Sequence, residues 1–595
     1  MKSTGGPLRA RWVAAWVLLL GALGSALAMV RSPVRPRADF VFNNGGEVMS
    51  LDPHTAAGVP EARVARALFE PLMTKEPKNL QVVGGTASSY DGEEGGRLYR
   101  FHLRPEARWS NGDPLTAADF AWSFHRILDP ETACENAYLL YCIVGAREFH
   151  SGLTEDGAPA ERDWEQVGIE ATDEHTLEIR LVRPNPQFIE LMAFHAFVPV
   201  HRESILAMRK RYPSTWRREW MRPQNLVTNG PFKVAERRIG DRLRLVRNPF
   251  YWDADNVAFR TIDVLSVERF STALNLYLTG DIDWLDGSIP PTLVKELQTR
   301  EDFQPAPYLG TYFYRINTTQ PPFDDPRVRT ALSYAVDRAT ICDDILGAGQ
   351  TPSVSFVPRG RLGGYHSPAL VRFDSDLARE RMTEAGYYGP DSKPFPPIEI
   401  HYNQSESHRD IAEFIAEGWR RTFGFTVRLR SQERKIHLDR QKNLDYNISR
   451  SSWIADTAQI GSFLDIWVTG GENNRTGWSN EQYDELVRMG SQELGTRRRN
   501  DYYQEAERIL LQEAPVIPIY DYVSQNLVNP RLGGFHGNLL NEHFPKDWYW
   551  KDQRELNQDR QQLSPYRKKV KAPGPQNGLY SKTAQAARAA RKTEQ

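Results

Sequence analysis

From Phe40 onward, short apolar runs alternate with amphipathic stretches, and no unit of about 20–50 residues repeats, which excludes solenoids and propellers. Tyr99-Arg100-Phe101-His102-Leu103-Arg104 alternates apolar and polar side chains as a half-buried strand does, and so does Leu177-Glu178-Ile179-Arg180-Leu181. Thr116 followed three residues later by Asp119 predicts a capped helix start, with Phe120, Phe124 and Ile127 on one face. Asp325-Pro326 predicts another, because the acid accepts free amide protons and the proline is preset for the first turn; that helix carries Val328, Leu332 and Val336.

Residues 396–456 are the most informative stretch. Ile398-Glu399-Ile400-His401-Tyr402 reads as a strand, Ser407 to Thr422 as a helix burying Ile411, Ile415 and Trp419, Gly424 as its stop, and Phe425 to Leu429 as the next strand. A further strand near Asp445 to Arg450 runs into Trp453-Ile454-Ala455-Asp456. The pattern predicts an α/β (mixed α+β) protein. Open α/β sheets bind ligands beyond the carboxyl ends of their strands, where His408, Arg450 and Asp456 are expected.

Composition narrows the class. At 595 residues, 40% hydrophobic and 25% charged, the chain exceeds one core and calls for more than one lobe; it is neither disordered nor collagen-like nor a multi-span membrane protein. Charge is uneven: residues 1–37 carry +6 and residues 565–595 carry +7, so a net of −1 leaves −14 on the body. An acidic body disfavours nucleic acid. Trp12 to Val30 is uncharged and preceded by Lys2, Arg9 and Arg11, which reads as an export signal cleaved after Ala28; the alternative is an uncleaved anchor over residues 12–30. No cysteine lies near it, so a lipoprotein is excluded. Cys134, Cys142 and Cys342 are too few to hold an exported chain together and are read as buried free thiols.

No HExxH, CxxC, P-loop, GxSxG or GxGxxG occurs, and the 13 histidines lack metal-ligand spacing, so neither a catalytic constellation nor a metal or cofactor site is expected. What remains is recognition. Asp456, Trp453 and Arg450 offer an anion, an aromatic wall and a cation within one short segment, complementary to a zwitterion; an internal Arg450–Asp456 salt bridge is the alternative. His408, near a helix start, adds amide donors for a carboxylate.

From about Phe42 to Trp550 the sequence resembles the oligopeptide-binding proteins of ABC importers, the cluster C or family 5 extracellular solute-binding proteins. The matching blocks are Asn43-Asn44-Gly45 through Ser50-Leu51-Asp52-Pro53-His54, Gly58-Val59-Pro60-Glu61, Trp109-Ser110-Asn111-Gly112, Asn229-Gly230-Pro231-Phe232, Asn248-Pro249-Phe250-Tyr251-Trp252, Pro321-Pro322-Phe323, and Arg450 with Trp453 and Ala455-Asp456. The resemblance implies a two-lobe periplasmic binding protein of type II-like architecture, hinge-closing, with an extra subdomain in the first lobe. Residues 39–70, 198–309 and 524–550 would form lobe I, 71–197 the extra subdomain, 310–523 lobe II, and 551–595 a basic disordered tail.

The implied function is capture of short peptides outside the cytoplasm, in the periplasm or at the cell surface, by a monomer that performs no catalysis and delivers its cargo to membrane permease subunits. The alternatives are the same scaffold holding a metal chelate, haem or sugar, or an anchored sensor. Carried over by position, Asp456 takes the peptide ammonium and Arg450 and His408 its carboxylate. Ala57, Gly58, Val59, Ser451, Ser452 and Trp453 pair its backbone, and Tyr308, Leu438 and Tyr522 line the cavity. The sequence departs from the family where a loop Asp-Tyr-x-Asp/Glu-Pro becomes Asp456-Thr457-Ala458-Gln459-Ile460, where Ala57 replaces a glutamate and Leu346 a lysine, and where two family cysteines fall at Gly310 and Ile454. Loss of the lysine implies an altered length preference.

Overall fold

Phe40–Asn43 contains no exposed residue, and it forms β1, a strand covered on both faces. The computed structural model describes residues 36–556 apart from Ala57, Glu155, Ser288, Arg361, Gly363 and Asp456. The signal segment, residues 557–595 of the tail, and the candidate residues Ala57 and Asp456 therefore lie outside the described residues.

After β1 and the helix Val59–Leu68 come the hairpin β2 (Met73–Lys75) and β3 (Val82–Gly84), then β4 (Ala87–Glu93), β5 (Leu98–Leu103), β6 (Ile169–Ala171) and β7 (Thr176–Arg180). The last four make a separate sheet in the order β4-β5-β7-β6. Phe120, Phe124 and Ile127 of the helix Ala117–Leu128 are buried in one core with Phe101, Leu177 and Ile179 of that sheet. The predicted cap is present: Asp119 accepts the Thr116 amide at 2.8 Å in a capping box.

The chain then returns to the main sheet through β8 (Phe232–Arg238), β9 (Arg242–Arg247), β10 (Thr261–Leu265), β11 (Trp284–Asp286), β12 (Phe303–Ile316), β13 (Thr351–Pro352), β14 (Ile398–Asn403), β15 (Val427–Gln432), β16 (Ile448–Ile454) and β17 (Val516–Val528). Its order is β15-β14-β16-β12-β17-β11-β1-β10-β9-β8, with β13 beside β17. β12 and β17, 14 and 13 residues long, are the only members long enough to serve both halves among the described residues. Near one end β17 pairs β11, and over residues 310–316 β12 pairs β16. The β12–β17 register shifts between Pro307 and Thr311, so the sheet is interrupted where it passes from one half to the other.

The predicted βαβ unit is β14, the helix Glu406–Phe423 and β15, with the strands parallel and Gly424 closing the helix at φ +84°. Trp419 is fully buried and donates its indole N–H to the Leu332 carbonyl at 2.9 Å. Two boundaries differ from the sequence reading. The strand expected near 445–450 begins at Ile448 and continues to Ile454, and the helix starts after Ser405, so His408 is its third residue. The helix opened by Pro326 ends at Tyr334, leaving Val336 beyond it.

All three cysteines are free; Cys142 is only half-buried, which corrects the expectation of three buried thiols. Burial nevertheless pushes its thiol up to about 11, so it is a poor nucleophile. Among the described residues no helix is long and apolar enough to cross a membrane, and no group of His, Cys, Asp and Glu is placed to hold a metal ion.

Candidate functional site

Arg450 lies within β16, not at its end as expected, because the strand runs four residues further. Its side chain reaches Asn403 Oδ1 and Tyr522 Oη, both at 3.2 Å, and its guanidinium carbon sits 4.6 Å from the centre of the Tyr312 ring. Its Nε is buried without a partner. Every described partner of this cation is neutral.

His408 Nδ1 lies 3.3 Å from Tyr312 Oη. Burial, helped by the neighbouring Arg450 charge, pulls its pKa down to about 3, so the ring is neutral at pH 7 and can meet an anion only as a hydrogen-bond donor. Tyr522 joins Tyr312 and Tyr520 in an aromatic cluster, with Tyr312 and Tyr520 stacked at 4.7 Å. Tyr308 stands half-buried in the irregular stretch of β12, where burial and the Asp286 charge raise its pKa to about 12, holding it neutral.

β16 has one covered edge and one open edge. Along residues 448–454 it pairs β12, but β14, whose other edge is paired with β15 along its whole length, meets it only at Ile448 and Ser449. The Arg450 carbonyl accepts from His437 Nε2 and Gln441 Nε2, both at 2.9 Å, from the helix Arg434–Lys442. The Ala455 amide donates to Leu309 of β12 at 2.9 Å. A residue's N–H and C=O point to the same side of a strand, so Ser452 and Ile454 are the residues whose backbone faces the open edge. Ser451 and Trp453, expected beyond the end of the strand and pairing the peptide backbone, are instead strand residues whose backbone is turned toward β12, and the Trp453 indole is engaged by the Ser462 carbonyl.

The remaining expected positions are more dispersed. Gly58, at φ +103°, immediately precedes the helix Val59–Leu68, whose exposed first residue, Val59, follows. Leu438 is 39% exposed on the helix that covers the Arg450 carbonyl. Leu346 is buried in the apolar core of its half. Gly310 and Ile454 are register partners, and a Cβ on Gly310 would come 2.3 Å from Ile454 Cδ1, so the isoleucine fills the space over the glycine. The sequence reading missed Tyr312, Asn403, His437 and Gln441; the tyrosines of β12, at positions 308, 312 and 314, were the available signal for the first.

Comparison with known proteins places these features in context. The model of the bacterial extracellular solute-binding proteins, family 5 (middle), matches residues 81–475. The periplasmic murein peptide-binding protein MppA of Escherichia coli is 33% identical over 82% of this chain and 88% of its own length. The periplasmic oligopeptide-binding protein OppA of Salmonella typhimurium is 31% identical over 90% of this chain and 98% of its own. The unliganded open form of the MppA murein tripeptide-binding protein superposes with a TM-score of 0.73 at 32% identity, covering 87% of this chain and 99% of that one.

Proposed function

Since the chain belongs to family 5 of the bacterial extracellular solute-binding proteins, we propose that it captures short peptides outside the cytoplasm and hands them to an ABC importer, acting by binding alone. The observation that carries this reading is the open edge of β16 at Ser452 and Ile454, beginning beside a cation that has only neutral partners among the described residues. An extended peptide adds to such an edge through its own N–H and C=O groups, a contact blind to side chains.

Arg450 then takes the peptide carboxylate, and neutral His408 donates to it. Asp456 takes the ammonium; Gly58, Val59 and position 57 meet the backbone from the other lobe; Tyr308, Tyr522 and Leu438 border the side chains. A charge-assisted hydrogen bond contributes about 1.5–3 kcal/mol and a neutral one about 0.5–1.5. One ion pair with several backbone bonds reaches micromolar affinity, about 8 kcal/mol. Leu346 in place of a lysine supports a changed length preference, since no ammonium is available there to meet the end of a shorter peptide. The lobe boundaries are assigned as in the sequence reading, with export and cleavage after Ala28.

Calorimetry with one tripeptide in free, N-acetylated and C-amidated forms tests the assignment. Blocking either end is expected to cost about 2–5 kcal/mol, and Asp456→Asn should weaken the free form by a similar amount while leaving the N-acetylated form unchanged. Equal affinity for all three forms would discard the reading.

A further inference from the structure

The loop that follows position 456 departs from the family pattern, and the structure supplies a partner for the change. Glu190, in the turn Phe188–Leu191 of the extra subdomain, is 9% exposed and reaches across to this loop. One of its oxygens accepts the Ala458 amide at 2.8 Å and the other accepts Gln459 Nε2 at 2.7 Å. Gly461 approaches the same turn so closely that a Cβ there would lie 3.0 Å from Gln187 Nε2. Lys75 Nζ, 4.0 Å from Glu190, is itself 3.1 Å from Glu542, which also binds Arg66 at 2.6 Å, so the carboxylate is backed by a buried charged network.

We propose that Glu190 and Gln459 are a positioning pair: they fix the backbone on the far side of position 456 and thereby set the geometry with which the amino terminus of the cargo is recognised. On the near side, the Ala455 amide is held by Leu309, and Thr457 and Ser462 hydroxyls are 2.7 Å apart, so the flanking backbone is anchored at both ends. An acid at position 459 would place two carboxylates at hydrogen-bond distance, where both cannot stay ionised. The amide at 459 is therefore what an acid at 190 requires. This inference rests on the reading of position 456 as the ammonium site.

The test uses the full chain, with Ala-Ala-Ala and its N-acetyl form as probes at pH 7. Gln459→Glu should weaken the free tripeptide at least about tenfold, leave the acetylated one unchanged and leave the melting temperature near wild type. The isosteric swap, Glu190→Gln with Gln459→Glu, restores one carboxylate facing one amide and should recover affinity to within about threefold, by cancellation of the two single effects. Equal loss on both peptides, no loss, or no recovery in the swap would overturn the pair. Wild-type protein that holds both peptides equally would sink the function and this inference together, whereas wild-type preference untouched by Gln459→Glu would sink the inference alone.

Discussion

Two arginines, Arg126 buried and Arg450 half-buried, make the clearest contrast in the molecule. Arg126, on the capped helix packed against the four-stranded sheet, is 5% exposed and bound by both oxygens of Asp52, with His54 Nδ1 at 2.7 Å as a further acceptor. Burial, the largest single influence, would raise the Asp52 carboxyl, but the charge and hydrogen bonds of Arg126, joined by those of His54, together hold the group below its usual value. Arg450 has an amide oxygen, a phenol and a ring face, and no described carboxylate. Burial without a counter-ion is not enough to mark a site: Arg338 lies deeper than Arg450, yet carbonyls of Ser333, Val336 and Pro518 accept its protons. The lesson lies in the unfilled donor. Arg126 and Arg338 are finished by the fold, whereas Arg450 keeps an Nε without a described partner and meets only neutral described acceptors through its terminal nitrogens.

The largest expected effect separates the two directly. Arg126→Ala strands a buried carboxylate and should cost about 3–5 kcal/mol in urea unfolding. Arg450→Gln should change unfolding by less than about 1 kcal/mol, since it removes a charge that has no counter-ion among the described residues, yet cost about 2–5 kcal/mol in affinity for a peptide with a free carboxylate. The C-amidated peptide should bind both forms alike. Loss of stability at Arg450 matching that at Arg126 would erase the contrast.

Acid sharpens it further. Burial pulls His54 and His408 to about 3, below the unfolded value of about 6.5. The unfolded chain thus takes up these protons first, so the stability the neutral rings contribute is complete above about pH 6.5 and is lost progressively toward pH 3. Between pH 6.5 and 5 the loss is at most about 2 kcal/mol for His54 and less for half-buried His408. Peptide should protect at His408 alone, because its carboxylate favours the protonated ring there. Urea midpoints at pH 7 and 5, with and without tripeptide, read this, and a His408→Gln variant with unchanged acid sensitivity would refute it. The smallest effect belongs to Leu438→Ala, which should move stability by less than about 0.5 kcal/mol and alter affinity only for cargo with a bulky side chain, as calorimetry over a residue series would register.

Much of the fold was legible because local rules and tertiary packing agree. The Thr116–Asp119 cap, the Asp325-Pro326 start and the strand-helix-strand unit closed by Gly424 all follow from backbone chemistry within a few residues. The end of β16 was misplaced because Ser451 and Ser452 carry no apolar signal; their pairing with Phe313 and Tyr312 is what makes them strand. Glu190 was invisible for a related reason: its partners lie more than 260 residues away.

By itself, then, the sequence determined the mixed α/β class, the family resemblance and the chemical types at positions 408, 450 and 456, since these depend on residue identity and short-range spacing. Only the tertiary structure decided which charges are already spent. Whether a guanidinium is a structural tie or a vacant site depends on what the rest of the chain folds against it, and that is a property of distances no linear order contains.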